Sequence, residues 1–172
     1  MTDRKTITVV QGDFAVSADP GVTMSTVLGS CVSVCLYDRA QKLGGMNHFL
    51  LAATRDDASG DLKYGVNAME LLINRLLQRG AVRARLEAKV FGGARMTQHS
   101  RDIGASNAAF ALDFLSKEGI PCRAQSLGGT SARRVQFHPT TGAARQMQVA
   151  GAAPEVLAPA PPPRTPPEIT LF

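Results

Sequence analysis

The chain has 172 residues and is 44% hydrophobic, enough apolar material for one domain with its own core and too much for a disordered polymer. It lacks tryptophan and is only 5% aromatic, which argues against a base-stacking surface for nucleic acid. The net charge of +5 arises from 19 basic and 14 acidic residues scattered along the chain; the clusters Arg79, Arg83, Arg85 and Arg133, Arg134 read as solvated surface, with an acidic protein partner ahead of DNA as the functional alternative.

No apolar run approaches the ~20 residues of a membrane span, so the chain is not expected to be membrane-inserted. Residues 1–10 are too short and too soon interrupted for a signal peptide. Three cysteines, an odd number, do not make a disulfide framework, and a cytoplasmic setting with reduced thiols is expected.

In chain order, residues 6–10 form a β-rich run that residues 14–16 are expected to pair with across Gln11-Gly12-Asp13. Pro20-Gly21 is a turn, and residues 22–28 read as an extended segment ending at Gly29. Residues 32–37 alternate as a strand, with Val32, Val34 and Leu36 on one face and Cys31, Ser33, Cys35 and Tyr37 on the other. A turn at 38–42 leads to a second apolar run over 43–51, which contains Asn47-His48. Val66, Met69, Leu72, Ile73, Leu76 and Leu77 predict a helix over about 62–78, capped by Asp61 and stopped at Gly80. A strand at 86–91 closes on Gly92-Gly93. A second helix is expected over 102–117, stopped by Gly119, and a strand over 121–127 closes on Gly128-Gly129. Residues 132–138 and 144–149 flank Pro139-Thr140-Thr141-Gly142 as a hairpin. The folded unit is therefore residues 1–150. Residues 151–172 carry seven prolines and are expected to be an extended, mobile tail that packs neither as helix nor as sheet. Its last four residues, 169–172, offer a short docking peptide.

Leu28-Gly29-Ser30-Cys31 ends a loop where a strand begins. Glycine permits a tight turn beside the thiol, and the backbone N–H groups near Ser30 and Cys31 would lie outside the sheet ladder, where an oxyanion needs donors. A free thiol is mostly protonated at neutral pH, so nucleophilic chemistry needs a base. If the two runs pair antiparallel about the 38–42 turn, their far ends bring Cys31 and His48 together. His99 and His138 are rival bases. Ser25 and Thr26 both remain open as the residue that orients the imidazole; Asn47 points to the opposite face. The alternative for any cysteine in a β-rich chain is a small buried hydrophobe, and Cys35 and Cys122 are read that way. Along a strand Cys31 and Cys35 lie roughly 13 Å apart, beyond the ~7 Å limit for a disulfide and beyond the reach of one zinc ion.

The blocks Leu28-Gly29-Ser30-Cys31-Val32-Ser33-Val34-Cys35-Leu36-Tyr37-Asp38 and Gly44-Gly45-Met46-Asn47-His48-Phe49-Leu50 resemble the CheD family of chemoreceptor glutamine deamidases. Lys63-Tyr64-Gly65, Lys89-Val90-Phe91-Gly92-Gly93-Ala94-Arg95-Met96, Ile103-Gly104-Ala105-Ser106-Asn107, and Gly128-Gly129 ahead of Arg133 and Thr141-Gly142 extend the likeness over residues 7–149. The resemblance implies an α+β fold, with mixed β-sheets packed together and flanking helices, similar to toxin-type glutamine deamidases. It implies conversion of specific receptor glutamines to glutamate with release of ammonia, and no metal or organic cofactor. Cys31 matches the family's nucleophile and His48 its histidine; a threonine just before the cysteine matches Ser25 or Thr26. The implied partners are the cytoplasmic helices of chemoreceptors and, for many members, a CheC-type phosphatase. A non-catalytic adaptor that binds receptors or such a phosphatase is the alternative.

Overall fold

The computed structural model describes residues 3–51, 58–96, 103–149 and 169–172. Among them two five-stranded mixed sheets face each other, and two helices cover the outer side of one sheet. The first sheet has the order β1 (Lys5–Thr8), β3 (Val22–Leu28), β8 (Arg133–Phe137), β9 (Ala144–Gln148) and β10 (Ile169–Leu171). The second has the order β2 (Phe14–Ser17), β5 (Leu43–Asn47), β4 (Val32–Asp38), β6 (Glu87–Gly92) and β7 (Cys122–Leu127). The expected α+β architecture is therefore present.

Strand β4 is buried along its whole length because it is central in its sheet and covered on both faces. Its alternation divides the interior in two. Val32, Val34 and Leu36 face α1 (Ala58–Gln78) and α2 (Ile103–Lys117), joining Met69, Leu72, Leu76, Ala111 and Leu115. Cys35 and Tyr37 face the other sheet, joining Met24, Leu28, Met46, Val135 and Phe137. The register Cys35↔Met46 to Asp38↔Leu43 makes β4 and β5 the antiparallel pair that the sequence implied.

Several expectations change. Strands β1 and β2 do not pair with each other: β1 runs parallel to β3, and β2 runs antiparallel to β5. The end of β5 captures the intervening turn, since Gly12 N–H donates to the His48 carbonyl and His48 N–H to the Asp13 carbonyl. The chain thus crosses from one sheet to the other at Gln11-Gly12-Asp13. Cys122 is exposed, not core, because it opens β7 at the sheet edge. Arg133 is 6% exposed, not solvated; its guanidinium donates to the carbonyls of Ser126 and Gly128 and ties down that loop. Finally, the last residues do pack: Ile169–Leu171 pair antiparallel with β9, Phe172 N–H donates to the Ala144 carbonyl at 2.9 Å, and the Phe172 ring meets Phe91 edge-on at 5.3 Å. An extended prolineless tetrapeptide can add to an open strand edge whatever the composition of the segment before it.

The Arg79, Arg83, Arg85 cluster is partly committed to ion pairs. Arg85 reaches the buried carboxylate of Asp38 at 3.0 Å, and Arg83 meets Glu118. Helix α1 begins at Ala58, earlier than expected, and α2 at Ile103.

Candidate active site

Cys31 lies just before β4, in the loop that leaves β3 at Leu28. Its carbonyl accepts the Gly93 N–H at 2.9 Å, and the Gly29 carbonyl accepts the Ala94 N–H at 2.9 Å. Gly92 has a φ of +111°, and a Cβ there would collide with the Cys31 carbonyl oxygen. The glycine pair at the end of β6 thus lets two backbones approach closely enough to fix the thiol-bearing loop. From α2, fully buried Asn107 donates to the Ser30 carbonyl at 2.8 Å and accepts from Leu51 N–H at 2.8 Å. Among the described residues, no backbone carbonyl accepts the N–H of Ser30 or Cys31.

His48 follows β5. The bridge Val32↔Phe49 continues the β4–β5 register and sets Ser33 opposite His48 and Cys31 opposite Leu50. Cys31 and His48 are therefore diagonal neighbours on one face of the sheet, a relation with side-chain origins roughly 7 Å apart, within reach of a long side chain. That face looks across to the other sheet. Thr26 looks back from β3, between Met24 and Leu28, all three buried.

The hydrogen bonds assign the imidazole tautomer. Thr26 Oγ1 lies 2.6 Å from the Val9 carbonyl oxygen, which carries no proton, so the threonine hydroxyl must donate there. The same Oγ1 lies 2.8 Å from His48 Nδ1 and can only accept from it. Nδ1 therefore bears the proton, with the Val9 carbonyl 3.2 Å away as a second acceptor. Nε2 is left as the bare lone pair, and it is buried without a hydrogen-bond partner.

Of the two candidate hydroxyls only Thr26 touches the histidine. Ser25 belongs to the opposite face of β3 with Thr23 and Val27. Asn47 points to the helices, accepting from Val34 N–H at 2.9 Å and donating to Met69 Sδ. His138 pairs with Thr23 Oγ1 at 3.2 Å, on the far side of β3 from Thr26. His99 lies outside the described residues. Asn107 escaped the sequence reading as a site residue; it stands in the Ile103-Gly104-Ala105-Ser106-Asn107 block, but nothing local marks it as the clasp on Ser30.

The sequence matches the family model described as "CheD chemotactic sensory transduction" over residues 50–148. It is 56% identical over 145 residues to "Probable chemoreceptor glutamine deamidase CheD 1" of Ruegeria sp. (strain TM1040), covering 84% of this chain and 78% of that protein. The chain belongs to the CheD family. Two further CheD relatives bear the name "Probable chemoreceptor glutamine deamidase CheD". That of Caulobacter vibrioides (strain NA1000 / CB15N) is 55% identical over 159 residues, covering 90% of this chain and 85% of its own. That of Agrobacterium fabrum is 51% identical over 149 residues, covering 86% and 82%. The CheD family match begins after His48. The Caulobacter alignment leaves out only a tenth of the chain, so it must include Cys31 and His48.

In this CheD chain burial sets the resting protonation of the pair. It pushes the Cys31 thiol above its ordinary value, offset in part by the residue's own N–H. It pulls His48 below its ordinary value, offset in part by the Val9 carbonyl. Both shifts favour neutral thiol beside neutral imidazole over a preformed thiolate–imidazolium pair. In keeping with that, the thiol proton is directed at Gln11 Oε1, 3.7 Å from Sγ. Cys35 is fully buried and its thiol is pushed up to about 12, chiefly by burial, which removes it as a nucleophile at neutral pH.

Among the described residues, no helix is long and apolar enough to cross a membrane.

Proposed function

We propose that this chain hydrolyses the side-chain amides of particular glutamines in the cytoplasmic helices of chemoreceptors, with Cys31 as nucleophile, His48 as base and Thr26 as the residue that orients the imidazole. The observation that carries this reading is the Thr26–His48 contact. It holds the proton on Nδ1 and leaves Nε2 free on the face that also bears the half-buried Cys31 thiol. The names of the Ruegeria, Caulobacter and Agrobacterium relatives support the same chemistry.

In the mechanism, Nε2 takes the thiol proton as Sγ attacks the glutamine δ-carbon. General-base assistance is needed because the resting thiol is protonated. In this reading the N–H groups of Ser30 and Cys31 receive the oxyanion, on the loop that follows Gly29. The imidazolium then protonates the leaving amine, ammonia departs, and a water activated by Nε2 cleaves the thioester. The half-buried thiol sits at the seam of the two sheets, which suits a side chain presented by a helix surface. Receptor recognition and the cytoplasmic site of action belong to the same proposal, as does an interaction with a CheC-type phosphatase.

The test is ammonia release from purified receptor cytoplasmic fragment, with intact-mass analysis of the fragment. The wild-type chain should convert amide to acid with the peptide backbone intact. The Cys31→Ala chain should bind the fragment and release no ammonia; unchanged release would remove Cys31 as nucleophile. Binding without ammonia release by the wild type would favour an adaptor instead. Measured against pH, kcat/KM should hold up on the acid side below the ordinary histidine value. The working form of His48 is neutral, and burial lowers its pKa, so the base survives to lower pH than a free imidazole would.

A further inference from the structure

The mechanism leaves one group beside the thiol without a role: the carboxamide of Gln11. The turn carrying it is anchored on the histidine strand, with Gly12 N–H on the His48 carbonyl at 2.8 Å and the Asp13 carbonyl accepting His48 N–H at 3.1 Å. Gly12 sits at a φ of +91°, so the turn adopts a shape that favours glycine at that position. This anchoring suspends exposed Gln11 over the site, with Oε1 3.7 Å from Cys31 Sγ. Among the described residues, nothing else hydrogen-bonds that carboxamide. His48, whose backbone anchors this turn, is only 7% exposed and keeps its Nε2 buried and unpartnered.

A glutamine carboxamide is the group the proposed reaction consumes, and here the chain supplies one at its own nucleophile. We propose that Gln11 is a self-modification site, converted in cis to glutamate by Cys31. The inference rests on the deamidase reading above. Rotation about the last side-chain bond of Gln11 turns the face of the amide toward sulfur, and rotations nearer the backbone of this exposed side chain carry the δ-carbon, about 1.2 Å from Oε1, into bonding reach. The thiol proton passes to His48 Nε2, the S–C bond forms, the C–N bond breaks, and the imidazolium returns its proton to the departing ammonia. An internal thioester then joins residues 11 and 31. Water adds its hydroxyl to the Gln11 δ-carbon and its proton, by way of His48, to the Cys31 sulfur. The sum is carboxamide plus water giving carboxylic acid plus ammonia, with no oxidant or other co-reactant.

Tethering makes this step competitive. Once aligned, an intramolecular group reacts as if present at about 10⁵ M or more, far above the concentration at which any receptor glutamine reaches the site. The product has a consequence of its own: a carboxylate at position 11, next to Sγ, disfavours the thiolate, so each conversion damps the nucleophile that made it.

The experiment is peptide mass spectrometry of residue 11 in the full-length chain, incubated at neutral pH in the same tube as a receptor cytoplasmic fragment. Glutamate at position 11 should accumulate with time in the wild type and be lost in Cys31→Ala, whose background also measures spontaneous loss from the Gln11-Gly12 pair. Conversion of the receptor with Gln11 left intact would overturn this inference and leave the deamidase reading standing. Conversion of neither would overturn both. Conversion of Gln11 in the Cys31→Ala chain by added wild type would overturn the assignment in cis.

Discussion

A threonine is a weak partner for a catalytic histidine compared with a carboxylate. It offers Nδ1–H a dipole and no negative charge, so it fixes the tautomer without stabilising the imidazolium. The downward displacement of His48 fits this arrangement. Replacing Thr26 by valine keeps the volume and removes the acceptor; kcat for ammonia release should fall about 10²-fold with KM little changed, whereas Ser25→Ala should stay within about twofold of wild type. The sequence offered Cys31 and His48 as the proposed pair because two apolar runs of matching length flank one turn. It did not separate Ser25 from Thr26. A slip of one residue turns a strand over, and both neighbours carry a hydroxyl. The deciding signal was parity: Met24 and Leu28, both buried, share a face with Thr26, while Ser25 shares its face with exposed Val27.

At the level of elements, helices and the β4–β5 and β8–β9 hairpins were legible from period and turn residues, since each depends on contacts nearby in the chain. The partners of β1 and β2 were not. A turn of three residues between two short apolar runs fits a hairpin as well as it fits a crossing between sheets, and only the distant end of β5 decides between them. Asn107 was illegible for the same reason. Its two partners, Leu51 N–H and the Ser30 carbonyl, lie 56 and 77 residues away. Truncating it leaves the buried Leu51 N–H unpaired, at about 1–3 kcal/mol, and releases the part-buried Ser30 carbonyl. Asn107→Ala should therefore lower the urea midpoint markedly, and faster alkylation of Cys31 by iodoacetamide should accompany the loosened loop.

For the molecule as a whole, composition marked residues 151–172 as separable, and proline content is a sound guide to segments that cannot join a sheet. It says nothing about the four residues that end the chain. Leu171 lies 78% exposed, while Phe172 turns its ring into the seam against Phe91 and its carbonyl oxygen accepts from Lys89 Nζ at 2.8 Å. Half-burying that ring is worth about 1 kcal/mol. Phe172→Ala should lower the urea midpoint by the corresponding amount, and deletion of residues 169–172 should add concentration-dependent self-association through the bared β9 edge.

The divided origin of the site bears on how it fails. One leaf of the sandwich contributes the hydroxyl, and the other contributes the sulfur and the imidazole, so in the proposed reaction competence belongs to the clasp between leaves and to neither leaf alone. Slight breathing between them lengthens the Thr26–His48 bond while every strand still holds its ladder. Heat or denaturant would then quench the chemistry in a molecule whose secondary structure remains whole.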